Sequence, residues 1–172
     1  MRIRVSRAGK SDWQIRSRTY KKRPGTDNFR LPPTVGVAAL SSVGKTITIN
    51  NYEKYPLLSV FKFHPALAMA NELAKTESSL CAPVYINKSD LSPDTYSPLR
   101  DHNPEGNSIL PVAELPRYTL QLSDNNACDT LFKYIVSPSD TDKFVRSLSV
   151  ADFSISRTED DAHKNLDDCY AN

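Results

Sequence analysis

Apolar and polar residues alternate along several short stretches of this chain, and the alternation predicts β-strands. In residues 45–50, Ile47 and Ile49 face one way while threonine and asparagine side chains face the other. Residues 117–122 alternate in the same way. Because successive side chains of a strand point to opposite faces, both runs predict half-buried strands. Further strands are predicted at 35–40, 57–63, 82–87, 109–112 and 151–155, and the run 131–136, apolar on both faces, fits a central strand or a buried helix.

Two stretches carry the spacing of a helix instead. In residues 66–75, Met69 and Leu73 belong to an apolar stripe at helical spacing, and Pro65 precedes them. Proline suits the first helical position because its missing N–H would be unpaired there anyway. Residues 139–148 form the second predicted helix, since an aspartate follows the opening serine three residues later, as in a capping box.

The connections are of two kinds. Residues 88–116 hold five prolines without clear periodicity, which predicts a long loop that is functional or mobile.

Residues 41–44 predict a hairpin loop with glycine near its end. Gly44-Lys45-Thr46 has the ending of a phosphate-binding loop, but that loop needs a glycine at the position of Ala39 and a helix afterwards. We therefore expect a structural hairpin that binds no nucleotide.

Together these elements fit two architectures. The favoured fold class is mainly β, a sandwich or barrel of up to eight short strands with one or two short helices. An extended basic N-terminal arm lies outside that sheet. The alternative is an α+β, ferredoxin-like layer in which 57–63, 82–87, 117–122 and 151–155 are the strands and 66–75 and 139–148 the helices.

Charge divides the chain into three predicted parts. Residues 1–30 carry ten Lys/Arg against two acids, a net +8, whereas the rest carries 12 bases against 18 acids, a net −6. Prolines at 32 and 33 predict a stiff hinge after the arm. We therefore expect a basic arm at 1–30, one globular domain at 31–157 and an acidic tail at 158–172.

Composition limits the compartment and the class of protein. A chain of 172 residues can bury roughly two-thirds of its unfolded surface, so it needs no disulfide or metal ion to be stable. The three cysteines, at wide spacings, suggest neither a disulfide framework nor a zinc site. We expect no membrane span, because no apolar run approaches about 18 residues. The basic, apolar-poor N-terminus does not resemble a secretory signal, so the expected location is intracellular, cytoplasmic or within a nucleoprotein particle, with an organellar address as an alternative.

The basic arm is the feature that indicates a partner. Lysine and arginine release counterions from phosphates, and interleaved aromatic rings can stack on unpaired bases. We therefore predict a non-enzymatic, nucleic-acid-associated assembly protein, a coat-type or ribonucleoprotein subunit, that binds RNA in preference to DNA and contacts copies of itself or other subunits. The predicted nucleic-acid-binding residues are Arg2, Arg4, Arg7, Lys10, Trp13, Arg16, Arg18, Tyr20, Lys21, Lys22, Arg23 and Arg30.

Two other classes of function stay open. The chain could be an interaction subunit of an organellar complex, with the arm as its address, or an enzyme with its site in the 88–116 loop. His64, His102 and His163 are scattered, and no local pattern joins them to a nucleophile or to metal ligands. We therefore expect no catalytic residue, no metal and no cofactor.

Overall fold

The structure is a computed structural model that describes residues 2–8, 12–18, 35–162 and 169–171. The chain divides into two compact units, 1–34 and 35–172. In the first unit, strands β1 (Arg2–Ala8) and β2 (Asp12–Arg18) pair antiparallel, with Arg2 opposite Arg18 and Ala8 opposite Asp12. The extended conformation predicted for the arm is observed in these two strands.

The second unit begins with the predicted hairpin. Strands β3 (Val37–Leu40) and β4 (Thr46–Ile49) pair antiparallel. The Ser41 N–H donates to the Lys45 carbonyl at 2.9 Å, and Gly44 closes the turn with a φ of 78°. This positive φ suits glycine, which has no Cβ to clash. The structural hairpin is therefore confirmed.

Two further small sheets lie in the second unit, and both are antiparallel. Strand β5 (Tyr55–Pro56) and strand β8 (Phe153–Ile155) flank β9 (Cys169–Ala171). Strands β6 (Pro83–Ile86) and β7 (Ser108–Pro111) pair separately. The predicted strands at 82–87, 109–112 and 151–155 are thus confirmed within two residues at each end.

Helices contribute more residues than strands to the described part of the second unit. The α-helices are α1 (Phe63–Lys75), α2 (Pro98–His102), α3 (Glu114–Gln121), α4 (Asn125–Tyr134), α5 (Pro138–Ser147) and α6 (Glu159–Ala162), and 3₁₀ turns cover Leu58–Lys62 and Lys88–Asp90. Since every sheet in the described part has only two or three strands, the prediction of a mainly β sandwich or barrel is wrong. The fold is α/β.

Two predicted strands are helical, and burial explains why. On α3 the buried residues are Leu115, Tyr118 and Thr119, which have helical spacing, while Leu120 is 49% exposed. Near residue 60, the neighbouring Phe61 and Lys62 are both buried. A two-residue period over six positions overlaps with a helical period, so the pattern was ambiguous. The ferredoxin-like alternative is also wrong, because residues 57–63 and 117–122 supplied two of its strands.

Both predicted helices are present, but some of their ends differ from the predicted ones. Helix α1 begins at Phe63, two residues before Pro65, and ends at Lys75 as expected. Helix α5 begins at Pro138, and its N-cap is Ser137 rather than Ser139. Residues 131–136, for which a strand and a helix were both open, belong mainly to α4.

Helix α4 is central to the core because it contributes to both hydrophobic clusters. One face places Ala127 and Leu131 in a cluster with residues of α1, α3 and the β6–β7 sheet. A neighbouring face places Cys128 and Phe132 in a second cluster with Phe61 and the side chains of β8. The segment that precedes α1 and strand β8 are therefore packed against the same helix. Among the described residues, no helix is long and apolar enough to cross a membrane.

The predicted long loop, 88–116, contains a 3₁₀ turn, α2 and β7, and two parts of its backbone approach each other closely at Gly106. Gly106 has a φ of 59°, and a Cβ there would lie 2.5 Å from the Lys88 Cα. We expect Gly106→Ala to lower the free energy of unfolding by about 2–3 kcal/mol, because the backbone at residue 106 or at Lys88 would have to move to make room for the Cβ. Gly44→Ala is the matched control, with a φ of 78° and no atom within 4 Å, and should cost only about 1–2 kcal/mol. Urea denaturation measures both, and equal losses would contradict the prediction.

Candidate active site

A buried lysine is the centre of the candidate site. Lys62 is 2% exposed, and its Nζ lies 3.1 Å from Glu159 Oε1. The same nitrogen donates to Ser123 O at 2.8 Å and Asn125 Oδ1 at 2.5 Å, and lies 3.3 Å from Ser59 Oγ and 3.2 Å from Ser123 Oγ. One ammonium therefore joins three segments that are far apart in the chain.

The 3₁₀ turn before α1 aligns Ser59 with Lys62. In a 3₁₀ helix, side chains three residues apart lie above one another on the same face. Ser59 is exposed, whereas Lys62 is buried directly behind it. The turn therefore presents a hydroxyl to solvent with an ammonium at its inner side.

Ser123 and Asn125 are positioned by the aspartate between them. Asp124 is fully buried and caps α4 by accepting the Ala127 N–H at 2.9 Å. Its carboxylate also accepts the Leu99 N–H at 2.5 Å and the Ser97 hydroxyl at 2.9 Å. These bonds fasten the α3–α4 turn to the start of α2. The two flanking side chains are thereby held against Lys62.

Asn125 also connects the site to the loop before α2. Its Nδ2 donates to Thr95 Oγ1 at 2.6 Å, and its backbone N–H donates to the Tyr96 carbonyl at 3.1 Å. Because Nδ2 faces Thr95, the amide oxygen is directed at Lys62. The predicted 88–116 loop therefore contributes to the site by orienting an amide.

Two residues of the site have left-handed backbone conformations. Leu58, directly before Ser59, has a φ of 46°, and Ser123 has a φ of 54°. Non-glycine residues in this region each cost of order 1–3 kcal/mol, and such strain concentrates at functional sites. Strained backbone therefore lies in both the turn before α1 and the α3–α4 turn, the two segments that meet at the Lys62 ammonium.

Glu159 brings a negative charge into the same site. It opens α6 and is 3% exposed. Burying a carboxylate is costly unless it is paired, and Lys62 provides that pairing. An exposed hydroxyl beside a buried ammonium and a buried carboxylate is an arrangement that can activate a serine nucleophile.

The histidines and the nearby cysteine have other surroundings. His64 bonds the Phe61 carbonyl and lies 4.7 Å from the Phe153 ring, and burial lowers its pKa. His102 Nδ1 lies 3.0 Å from the Tyr118 hydroxyl, while His163 is outside the described residues. Burial raises the pKa of the Cys128 thiol, and the negative charge of Asp129 raises it further. The thiol therefore stays protonated. No group of three or more His, Cys, Asp or Glu in the described part could hold a metal ion.

The predicted nucleic-acid-binding residues all fall between Arg2 and Arg30. Lys10, Tyr20, Lys21, Lys22, Arg23 and Arg30 lie outside the described residues, and for the others the structure describes the backbone of β1 and β2. Their individual roles are therefore untested, as are the predicted limits at residues 30 and 157. Glu159, by contrast, was placed in a solvated acidic tail and is buried against Lys62.

Sequence reasoning missed every residue of the Lys62 site, although two signals were present. Ser59-Val60-Phe61-Lys62 is a Ser-x-x-Lys motif, and Ser123-Asp124-Asn125 is the Ser-Asp-Asn motif that accompanies it in serine β-lactamases. Interpreting 57–63 as a strand concealed the first, since a strand would point Ser59 and Lys62 to opposite faces. No comparable pattern marks Glu159.

Comparison with known proteins agrees with these motifs. The family model described as "Beta-lactamase enzyme family" matches residues 30–169. A β-lactamase of Bacteroides uniformis is 39% identical over 139 residues, covering 81% of this chain and 47% of that protein. Beta-lactamase VEB-1 of Pseudomonas aeruginosa is 36% identical, covering 80% and 46%. The chain thus spans about half the length of the curated relatives it matches.

Solved structures show the same relationship. The TLA-1 extended-spectrum β-lactamase superposes with a TM-score of 0.75 at 36% identity, over 79% of this chain and 51% of that one. A β-lactamase from Chitinophaga pinensis gives a TM-score of 0.75 at 33% identity, over 79% and 52%. The second unit therefore has part of the class A β-lactamase fold.

These findings correct the functional predictions from sequence. The prediction of a non-enzymatic, nucleic-acid-associated assembly protein is wrong, because the matching family is one of hydrolytic enzymes. The predicted partners, RNA or DNA and coat-type subunits, are contradicted on the same ground. That interpretation rested on charge segregation in the arm and missed both short motifs. The family model, the relatives and the fold agree: the chain belongs to the β-lactamase enzyme family.

Proposed function

We propose that this chain carries the nucleophile part of a serine β-lactamase active site. Ser59 Oγ attacks the carbonyl carbon of a β-lactam ring, and the resulting ester is hydrolysed by water. The observation that carries the proposal is the position of Lys62 Nζ, 3.3 Å from the exposed Ser59 Oγ and 3.1 Å from the buried Glu159 carboxylate. A nucleophile, a basic group and a third group that orients it are the arrangement that covalent catalysis requires.

In acylation, Lys62 first passes a proton to Glu159, and its neutral amine then accepts the hydroxyl proton of Ser59. The Ser59 Oγ–carbonyl bond forms and the ring C–N bond breaks. Ser123 Oγ, 3.2 Å from Lys62 Nζ, gives its proton to the departing ring nitrogen and is reprotonated from Lys62. The ammonium and carboxylate are restored when Glu159 returns its proton to the amine. The serine proton is thus transferred in effect to the ring nitrogen.

In deacylation, Glu159 serves as the general base. It removes a proton from a water molecule that attacks the ester carbonyl, and the bond to Ser59 Oγ then breaks. The leaving Ser59 oxygen recovers its proton by way of Lys62 and Glu159. Asn125 is a positioning residue in both steps, because its amide oxygen accepts from Lys62 at 2.5 Å.

Ser59→Ala tests the proposal. The purified protein is incubated with a fluorescent penicillin, and the covalent adduct is measured by intact mass and by gel fluorescence. We expect one adduct on the parent protein and a loss of labelling of about 10³-fold or more in the variant, since no other group can replace the nucleophile. Ser147→Ala, which removes an exposed hydroxyl on α5, is the matched control and should label normally. Equal labelling of Ser59→Ala and the parent would refute the assignment.

A further inference from the structure

Arg100 on α2 binds the backbone of the loop before its own helix, residues 92–96. Its Nη1 donates to the carbonyl oxygens of Ser92, Pro93 and Thr95 at 2.9, 2.9 and 2.8 Å, respectively. Hydrogen bonds from a charged donor are stronger than those between neutral groups. Three carbonyls of one short segment thus converge on a single cation, and the loop before α2 curls around it.

An acid on the same helix fixes the orientation of this guanidinium. Asp101 Oδ1 accepts from Arg100 Nε at 3.2 Å and from Nη2 at 2.9 Å, which leaves Nη1 facing the loop. The Arg100 side chain is only 25% exposed, so water competes weakly for the three carbonyls. A lysine has no planar fork and could not be held by an acid and directed at the loop at the same time. The conformation of the loop therefore depends on an arginine at this position.

The loop before α2 also bonds to α4 at both of its ends. At the start, buried Asn126 accepts the Ser92 N–H at 3.1 Å and donates to the Ser92 carbonyl at 3.2 Å. At the other end, the Thr95 hydroxyl accepts from Asn125 Nδ2 at 2.6 Å. Because Asn126 holds Ser92 without the help of Arg100, the contribution of Arg100 falls on the position of Thr95.

From this geometry we propose that Arg100 is a positioning residue for the reaction of Ser59. Arg100 fixes Thr95, and Thr95 binds the amide nitrogen of Asn125. The amide oxygen of Asn125 thereby faces Lys62 Nζ, at 2.5 Å. When Thr95 moves away, the amide is free to turn and present its NH₂ group, a donor, to the ammonium. This inference rests on the proposed function, and Arg100 acts through the loop rather than on a reacting atom.

Native-state hydrogen exchange tests the coupling without a substrate. The Asn125 N–H donates to the Tyr96 carbonyl in the loop at 3.1 Å, whereas the Ala127 N–H donates to Asp124 in the cap of α4 at 2.9 Å. We expect Arg100→Ala to speed exchange of the Asn125 N–H about 10-fold and that of the Ala127 N–H less than about 2-fold. Arg100→Lys, the milder change, should speed the first about 3-fold and decides the question if the alanine variant does not fold. Equal acceleration of both amides, or of neither, overturns the proposal.

Labelling of Ser59 by penicillin gives the functional readout. We expect Arg100→Ala to lower the maximal labelling rate about 10-fold and to change the half-saturating penicillin concentration less than about 3-fold, because Asn125 orients Lys62. Thr95→Val removes the hydroxyl at nearly constant shape and should slow labelling to a similar extent. The double variant should be less than about 2-fold slower than the slower single variant. Losses that multiply in the double variant, or an unchanged rate in Arg100→Ala, overturn the positioning role.

Arg117→Ala is the matched control for both measurements. Arg117 on α3 also pairs with an acid of its own helix, Glu114 at 2.6 Å, but it is 41% exposed. We expect its loss to leave the Asn125 exchange rate and the labelling rate within about 2-fold of the parent. Changes as large as those in Arg100→Ala would contradict a specific role of Arg100. If the parent itself is not labelled, the proposed function fails instead, and hydrogen exchange still decides whether Arg100 holds the loop.

Discussion

Replacing Lys62 with methionine should lower the free energy of unfolding by about 3–5 kcal/mol, because removing one partner of a buried ion pair leaves the other charge without its counter-charge. Lys62 and Glu159 are 2% and 3% exposed, so solvent cannot compensate. The variant also deprives Ser123 and Asn125 of their donor. For a chain of this size the loss corresponds to a fall in Tm of about 10 °C. Labelling of Ser59 by penicillin should disappear in the same variant.

A double-mutant cycle isolates the electrostatic part. Glu159→Gln should recover part of the stability lost in Lys62→Met, because the double variant has no buried charge at either position. The double variant should still show no labelling of Ser59 by penicillin. Lys143→Met is the control, since Lys143 pairs with Asp140 at 3.0 Å on the surface, and it should cost less than about 1 kcal/mol. Urea denaturation of the four proteins measures the cycle, and purely additive losses would rule out a coupled pair.

Replacing Asp124 with alanine should be similarly damaging, for a different reason. Its fully buried carboxylate accepts from the Leu99 and Ala127 N–H groups and from the Ser97 hydroxyl. Each buried donor left unpaired costs about 1–3 kcal/mol, so we expect a total loss of roughly 3–5 kcal/mol after local relaxation. The α3–α4 turn should then release Ser123 and Asn125, and penicillin labelling should fall with stability.

Two variants test whether this loss is more than that of an ordinary helix cap. Ser137→Ala removes the cap of α5, where the hydroxyl accepts the Asp140 N–H at 3.1 Å near the surface, and should cost about 1 kcal/mol. Asp124→Asn keeps an acceptor oxygen and should fall between the two. Thermal denaturation checks the order. If Asp124→Ala costs no more than Ser137→Ala, the carboxylate does not fasten α2 to the site.

Local patterns predicted the elements that depend on local physics. The β3–β4 hairpin needs a positive φ at Gly44, and β6 and β8 are short apolar runs between turn residues. The end of α1 at Lys75 also followed from its spacing. The hairpin and the end of α1 are stabilised largely by neighbours in sequence, so a short window of residues suffices to identify them. Strands β6 and β8 pair with the distant strands β7 and β9, but their own apolar runs mark them as strands.

Residues 117–122 show where local pattern reasoning ends. Alternation predicted a strand with Tyr118 and Leu120 on one face and Thr119 on the other, yet Thr119 is buried together with Tyr118 and Leu120 is exposed. Helical packing of α3 against α4 decides which face is buried, and no property of six residues reveals that partner. The same override turned 57–63 from a predicted strand into the 3₁₀ turn that aligns Ser59 with Lys62.

The sequence contains the Ser-x-x-Lys and Ser-Asp-Asn motifs, but local patterns did not identify them. The sequence by itself determined the β3–β4 hairpin and the strands β6, β7 and β8, because turn residues and short apolar runs mark them. Only the tertiary structure decided that Glu159 reaches Lys62 and that Asp129 holds its backbone. Those contacts join residues from 30 to 97 positions apart through the packing of α4, so their energy comes from burial and pairing across the fold. Without those contacts the carboxylate would be a solvated acid, which is how its sequence context was interpreted.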